Sequence, residues 1–178
     1  RFFELGFHQI ITEADGFDLL SMGRSEGAGC YCALNNLIRK FVDDLGPSYT
    51  HIVMDNEAGL EHLSRQTTRD IDALIVVVTD NPLSLQSAAN IEKVTGELGN
   101  RIRNRFVVTN MIEDQARRDE VVKRLSMLSL VYAGDIPRDP ALDAHIYEGE
   151  SLLKFVDTPS VDSIKKLIDK TGGQNGIT

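Results

Sequence analysis

The clearest signal in the pattern of apolar and polar positions is residues 71–79 (IDALIVVVT), a nearly unbroken β-branched run. A strand of that kind has no polar face, so it must be covered on both sides, as in a parallel sheet under helices. Shorter runs at 105–109 (RFVVT, closed by Asn110), 130–133 and 17–22 predict further strands. Another is predicted at 49–54, where Ile52, Val53 and Met54 end on Asp55. Between these lie segments with apolar residues at three-and-four spacing, the mark of amphipathic helices. Residues 35–45 carry Leu37, Ile38, Phe41 and Val42, and Gly46 and Pro47 stop them. Residues 84–98 offer Leu85, Ala88, Ala89, Ile91, Val94 and Leu98 to a core. Residues 114–128 offer Ala116, Val121, Leu125 and Leu128. A short helix is predicted over 140–147 with Gly149 as its stop, and a closing one over 161–170. Residues 1–15 show no assignable pattern. The alternation predicts right-handed βαβ crossovers, hence an α/β fold: a doubly wound, mainly parallel sheet with helices on both faces.

Composition narrows the class. A chain of 178 residues fits a single domain, with 172–178 as a loose tail. No apolar run approaches the roughly 20 residues of a spanning helix, and the start lacks a signal-peptide pattern, so a soluble protein is expected. Two cysteines two apart cannot build a disulfide framework, which suggests a reducing, cytoplasmic setting. A net charge of -8 argues against general nucleic-acid binding. The first residue is Arg1, and the N-terminal part of a larger domain is expected to be absent.

Chemistry gathers at three places. The stretch 51–65 (HIVMDNEAGLEHLSR) reads as a buried strand that delivers Asp55 to the C-terminal edge of the sheet, where ligands bind in open α/β folds. With Gly59 as a hinge it would suit a switch that senses a γ-phosphate; the alternative is an acid capping the next helix. Cys30 and Cys32 can reach one metal ion but supply only half a tetrahedral shell, so two pairs at a twofold interface would complete it. The alternative is two reduced cysteines packed near a helix start. Asn110 offers donor and acceptor to an adenine edge, and Pro137 and Arg138 can flank the ring; the alternative is ordinary strand-end loop residues. Asp139 is a candidate cap for the helix from Pro140. The glycine-rich 23–29 (GRSEGAG) lacks the lysine and hydroxyl of a phosphate loop and reads as a connection. His62 reads as a solvent-facing helix residue.

The string DNEAGLEHLSR resembles switch II of the carbon monoxide dehydrogenase maturation ATPases (CooC type), in the MinD/ParA group of deviant P-loop ATPases. GAGCYCALNNLIR resembles that family's Cys-x-Cys segment, VVTNM its strand-end Asn, and GDIPRDPALDAHIYEGESLL its base-bordering loop and following helix. The resemblance implies a P-loop NTPase-like fold, ATP or ADP with Mg²⁺, and a homodimer with zinc or nickel at Cys30 and Cys32. It also implies a partner, the carbon monoxide dehydrogenase apoenzyme, and a role in nickel insertion. Asp55 with Gly59 would couple γ-phosphate and Mg²⁺ to switch II, while Asn110, Pro137 and Arg138 would form the adenine pocket. Ala33 stands where the family often has Pro, which leaves the helix entry less rigid. The family's KGGxGK[ST] loop and switch I acid do not occur in these residues, so this chain alone is expected not to hydrolyse ATP. The alternatives are a catalytically silent nucleotide- or metal-binding module of the same fold, or another MinD/ParA-like ATPase. A DNA-partition ATPase fits poorly with the net charge and the cysteine pair. MinD itself ends in a membrane-binding helix, but the short stripe of Val161, Ile164, Leu167 and Ile168 is expected to pack on the sheet instead, with no membrane contact.

Overall fold

The computed structural model describes residues 11–20, 40, 43–44, 48–56, 71–97 and 102–172. The chain divides into two compact units, Arg1–Ile38 and Arg39–Thr178. In the first, β1 (Ile11–Ala14) and β2 (Phe17–Leu20) form an antiparallel hairpin with Ala14 opposite Phe17. Asp15 and Gly16 make the turn, and Gly16 sits at φ 85, a region open to glycine without strain. Of the strand expected over 17–22, positions 17–20 are described and are extended, and Ser21 and Met22 lie outside the described residues; its partner was hidden in a stretch without periodicity. The Asp-Gly dipeptide is the local signal for such a turn.

In the second unit β3 (Ile71–Val78), β4 (Ile102–Asn110) and β5 (Val131–Ile136) lie side by side in the order β3-β4-β5, all parallel. The connections are α1 (Pro82–Glu97) and α2 (Gln115–Leu125). After β5 come α3 (Pro140–Tyr147), a 3-10 turn (Leu152–Lys154) and α4 (Pro159–Gly172). In parallel register Val76 lies beside Val107 and Val78 beside Thr109, so these side chains share one face. There they meet Ala88 of α1 and Val121 and Leu125 of α2 in one buried cluster with Ile112 and Leu130. On the other face α4 packs on β5, and Leu167 lines a cavity of about 150 Å³ with Val108 and Ala133. Helices are therefore present on both faces of the sheet, but among the described residues the second face of β3 is left open, with Ile75 38% and Val77 54% exposed.

Local chemistry explains the boundaries. Asn81 Oδ1 accepts a hydrogen bond from Leu83 N at 2.9 Å, which starts α1 at Pro82, two residues before the expected start. Asp114 caps α2 by accepting from Arg117 N at 2.7 Å. Gly149, at φ 72, ends α3 in a Schellman motif: its N–H bonds Ile146 O at 3.0 Å and the Glu150 N–H bonds His145 O at 3.2 Å. β4 starts three residues earlier and β5 runs three residues further than the apolar runs suggested. Of the expected helix over 35–45, positions 40, 43 and 44 are described and are helical. Leu98 lies outside the described residues.

Two expectations are corrected. Residues 51–56 are not a strand; Val53 is 92% exposed, and Ile52 and Met54 are exposed with it. An apolar run of only three residues buries too little surface to hold a strand without a ladder partner, and among the described residues none pairs with it. Ala116 faces solvent instead of the core. It stands five residues before Val121, about 140° round the helix from it. At the end of α4 the exposed Lys170 donates to Tyr132 O and Ala133 O, each at 3.0 Å. The stripe packs on the sheet in part, with Val161 and Leu167 half-buried and Ile164 and Ile168 exposed. No helix among the described residues is long and apolar enough to cross a membrane.

Candidate nucleotide-binding edge

β4 and β5 end together. Thr109 pairs with Asp135 and Asn110 with Ile136, so Pro137 and Arg138 begin where β4 stops. The Met111 N–H donates to Ile136 O at 2.9 Å and extends the pairing one step beyond the strand. Met111 takes φ 57, a left-handed conformation uncommon for a residue with a side chain and frequent at binding sites. The half-buried Asn110 thus stands at the carboxyl edge of parallel strands, the side on which open α/β sheets bind ligands. Arg138 is exposed, with its Nε 3.3 Å from Asp143 Oδ2 and its Nη1 3.8 Å from Glu113 Oε1. Such exposed pairs add little stability, so the guanidinium is free to exchange them for a ligand.

Two acids flank the Pro137–Arg138 pair. Asp139 is buried and caps two helices at once. Its Oδ1 accepts from Ala141 N at 3.1 Å and Leu142 N at 3.4 Å, at the start of α3. Its Oδ2 accepts from Ser160 Oγ at 2.7 Å and Ser160 N at 3.3 Å, at the start of α4. The Ser160 hydroxyl above all, helped by Thr158 and backbone N–H groups and opposed by burial, holds the Asp139 carboxyl below the usual aspartate range. A group whose pKa is lowered on folding stabilises the fold above its unfolded value, and that contribution fades as pH falls through the folded value. An Asp139→Asn variant keeps an acceptor for α3 but cannot accept twice from Ser160. Its melting temperature is expected to lie below that of the parent at neutral pH, with the gap closing below about pH 4. A gap that stays constant across a pH series of thermal melts would exclude a contribution from the ionised carboxylate.

Asp135 is the second acid. Its Oδ1 accepts from Thr109 Oγ1 at 2.8 Å, and Thr109 Oγ1 also lies 2.9 Å from the Tyr132 hydroxyl. Its Oδ2 pairs with Arg118 of α2, whose other nitrogen bonds Gln115 Oε1. Neither Asp135 nor Arg118 was found by sequence reasoning. Arg118 had a signal: it stands three residues before Val121 and seven before Leu125, on the inward stripe of α2, where a charge needs a partner.

Of the residues predicted from sequence, Asn110, Pro137 and Arg138 are brought together. Asp55 is exposed at the end of the unpaired 51–56 segment, where Asn56 Nδ2 donates to Met54 O at 3.3 Å. Gly59, Cys30 and Cys32 lie outside the described residues. Among the described residues no group of three or more His, Cys, Asp or Glu side chains is placed to hold a metal ion. His145 is structural, its ring 5.2 Å from that of Phe155 and its Nε2 3.0 Å from Ser151 O.

The arrangement of strands and helices is that of the ParA/MinD ATPases, a P-loop NTPase-like α/β fold. A ParA family ATPase from Chlorobium tepidum TLS superposes with a TM-score of 0.70 over 96% of this chain and 69% of its own, at 18% identity. MinD from Aquifex aeolicus superposes with a TM-score of 0.63 over 81% of this chain and 62% of its own, at 21% identity. In sequence the chain is 34% identical over 169 residues to an uncharacterised ATP-binding protein of Methanocaldococcus jannaschii, covering 91% of this chain and 66% of that protein. It is 31% identical over 139 residues to the carbon monoxide dehydrogenase accessory protein CooC of Rhodospirillum rubrum, covering 76% of this chain and 51% of CooC. No protein-family model matches. The chain thus spans about half to two thirds of the length of these two curated relatives. The sequence likenesses are thus to an ATP-binding protein and to CooC, and the fold likeness is to the ParA and MinD ATPases.

Proposed function

We propose that these residues form the base-binding part of an ATP-driven maturation factor that inserts nickel into carbon monoxide dehydrogenase. In this reading the protein works as a homodimer, and ATP binding and hydrolysis switch its conformation. Asn110 reads the adenine edge with its amide, and Pro137 and Arg138 border the ring. Asp55, with Gly59 as hinge, couples Mg²⁺ and the γ-phosphate to the dimer, and Cys30 and Cys32 hold zinc or nickel between subunits. The observation that carries the reading is the register of β4 and β5, which sets Asn110 beside Ile136 and so beside the Pro137–Arg138 pair. The 31% identity to CooC supports the choice of client and metal.

The test is a titration of the full-length protein with ADP and with GDP. Asn110→Ala is expected to weaken ADP binding about tenfold, the size of one good hydrogen bond, and to narrow the preference for adenine over guanine. An Asn110→Ala protein that binds ADP as tightly as the parent, with the same preference, would overturn the assignment of the base site.

A further inference from the structure

Regular strands alternate faces, so residues three apart point to opposite sides of a sheet. Tyr132 and Asp135 are three apart on β5, yet both reach the hydroxyl of Thr109. The register accounts for this. Val107 pairs with Tyr132 but Val108 pairs with Gly134, so Ala133 is an extra residue, a β-bulge in β5. The bulge has two effects. It turns Asp135 to the same face as Tyr132, and it brings Ile136 rather than Asp135 opposite Asn110. Pro137 therefore lies one place nearer the end of β4 than an unbroken ladder would put it. Bulges re-aim side chains in this way beside functional sites.

From this we infer that Asp135, set by the bulge at Ala133, is a positioning residue for the nucleotide base. It ties Thr109, next to Asn110 in β4, to the residue two before Pro137 in β5, and both to α2 through Arg118. Thr109 is fully buried, so its hydroxyl has no water to exchange for these partners. Arg118 is held from its other side by Gln115, whose Nε2 in turn donates to Asp119 Oδ1 at 2.8 Å. The turn that carries Asn110 into α2 is thereby fixed at both ends: at Thr109 before it and at Arg118 after it. Asp135 touches no ligand in this role; it fixes the spacing between the Asn110 amide and Pro137. The inference rests on the proposed base site and adds to it the residue that sets its geometry.

The experiment compares the parent with Asp135→Asn, Asp135→Glu and Arg118→Met in the full-length protein, by titration with ADP and with GDP. Asp135→Asn preserves shape and the bond from Thr109 but presents an amide to Arg118. It is expected to raise the dissociation constant for ADP about tenfold while that for GDP changes far less, so that base preference collapses. Arg118→Met, which keeps the volume of the side chain but not the charge, should move the preference in the same direction, and Asp135→Glu should restore part of it. If the variants melt earlier yet keep the parental ratio of the two constants, Asp135 is merely structural and the inference is overturned. If the parent itself shows no preference for adenine, or Asn110→Ala leaves that preference intact, the base site is wrong and the inference falls with it.

Discussion

On the proposed function, a Cys30→Ser, Cys32→Ser double variant is expected to be purified without zinc or nickel, and the parent is expected to carry about one ion per two chains. Each chain offers two thiolates, half of a tetrahedral shell, so a closed site requires a second copy related by a twofold axis. Loss should therefore be complete rather than graded, because neither serine hydroxyl replaces a thiolate as a ligand for these metals. Apparent binding energies of structural zinc sites run to about 10–16 kcal/mol, which makes this the largest effect expected of any substitution in the chain. Among the described residues no other cluster of His, Cys, Asp or Glu could retain the ion. Metal analysis of the purified proteins, with light scattering in the presence of a chelator, gives the readout. Stoichiometric metal surviving in the double variant would remove these cysteines from the proposed site.

Leu125→Ala is expected to destabilise the second unit by about 2–5 kcal/mol, the range for a leucine deleted from a closed core. Leu125 is 1% exposed at the last turn of α2, in one cluster with Val121, Val107 and Val78. Its position at the end of the helix does not spare it, because Leu128 and Leu130 close over the cluster from the following turn. Ala116→Ser supplies the contrast. Ala116 shares the helix but lies on its wet side, and its substitution should change stability by no more than about 0.5 kcal/mol. Urea unfolding of both variants measures the difference. Equal midpoints would mean that α2 is seated differently on the sheet.

That contrast also shows what was legible in the sequence. The β3 run declared itself as an unbroken β-branched stretch, although only the face of Val76 and Val78 is buried among the described residues. β4, α1, α2 and α3 followed from apolar spacing, and Gly149 from the conformation that a helix stop demands. Asn110, Pro137 and Asp139 were legible as residue types at strand and helix ends. What escaped notice was non-local. The bond from Ser160 to Asp139 joins the starts of two successive helices, and neither residue carries a mark of it. Asp135 was invisible because its orientation depends on a bulge, and Ala133 gives no sign that it is the residue left over. The 49–54 run misled for the opposite reason: three apolar residues before an acid look like a strand end whether or not a neighbouring strand pairs with them. Arg118 could have been found, since a charge on an inward helical stripe predicts a buried partner.

The bulge in β5 also constrains how this edge can vary in length. Removal of Ala133 would let the ladder run unbroken, with Asp135 two places after Tyr132 and still beside Thr109, and Ile136 still beside Asn110. Removal of Gly134 as well would set Asp135 opposite Val108, on the other face from Thr109, and carry Pro137 one place out of step with Asn110. Between Tyr132 and Asp135 the edge therefore tolerates the loss of its one uneven residue but not of a second.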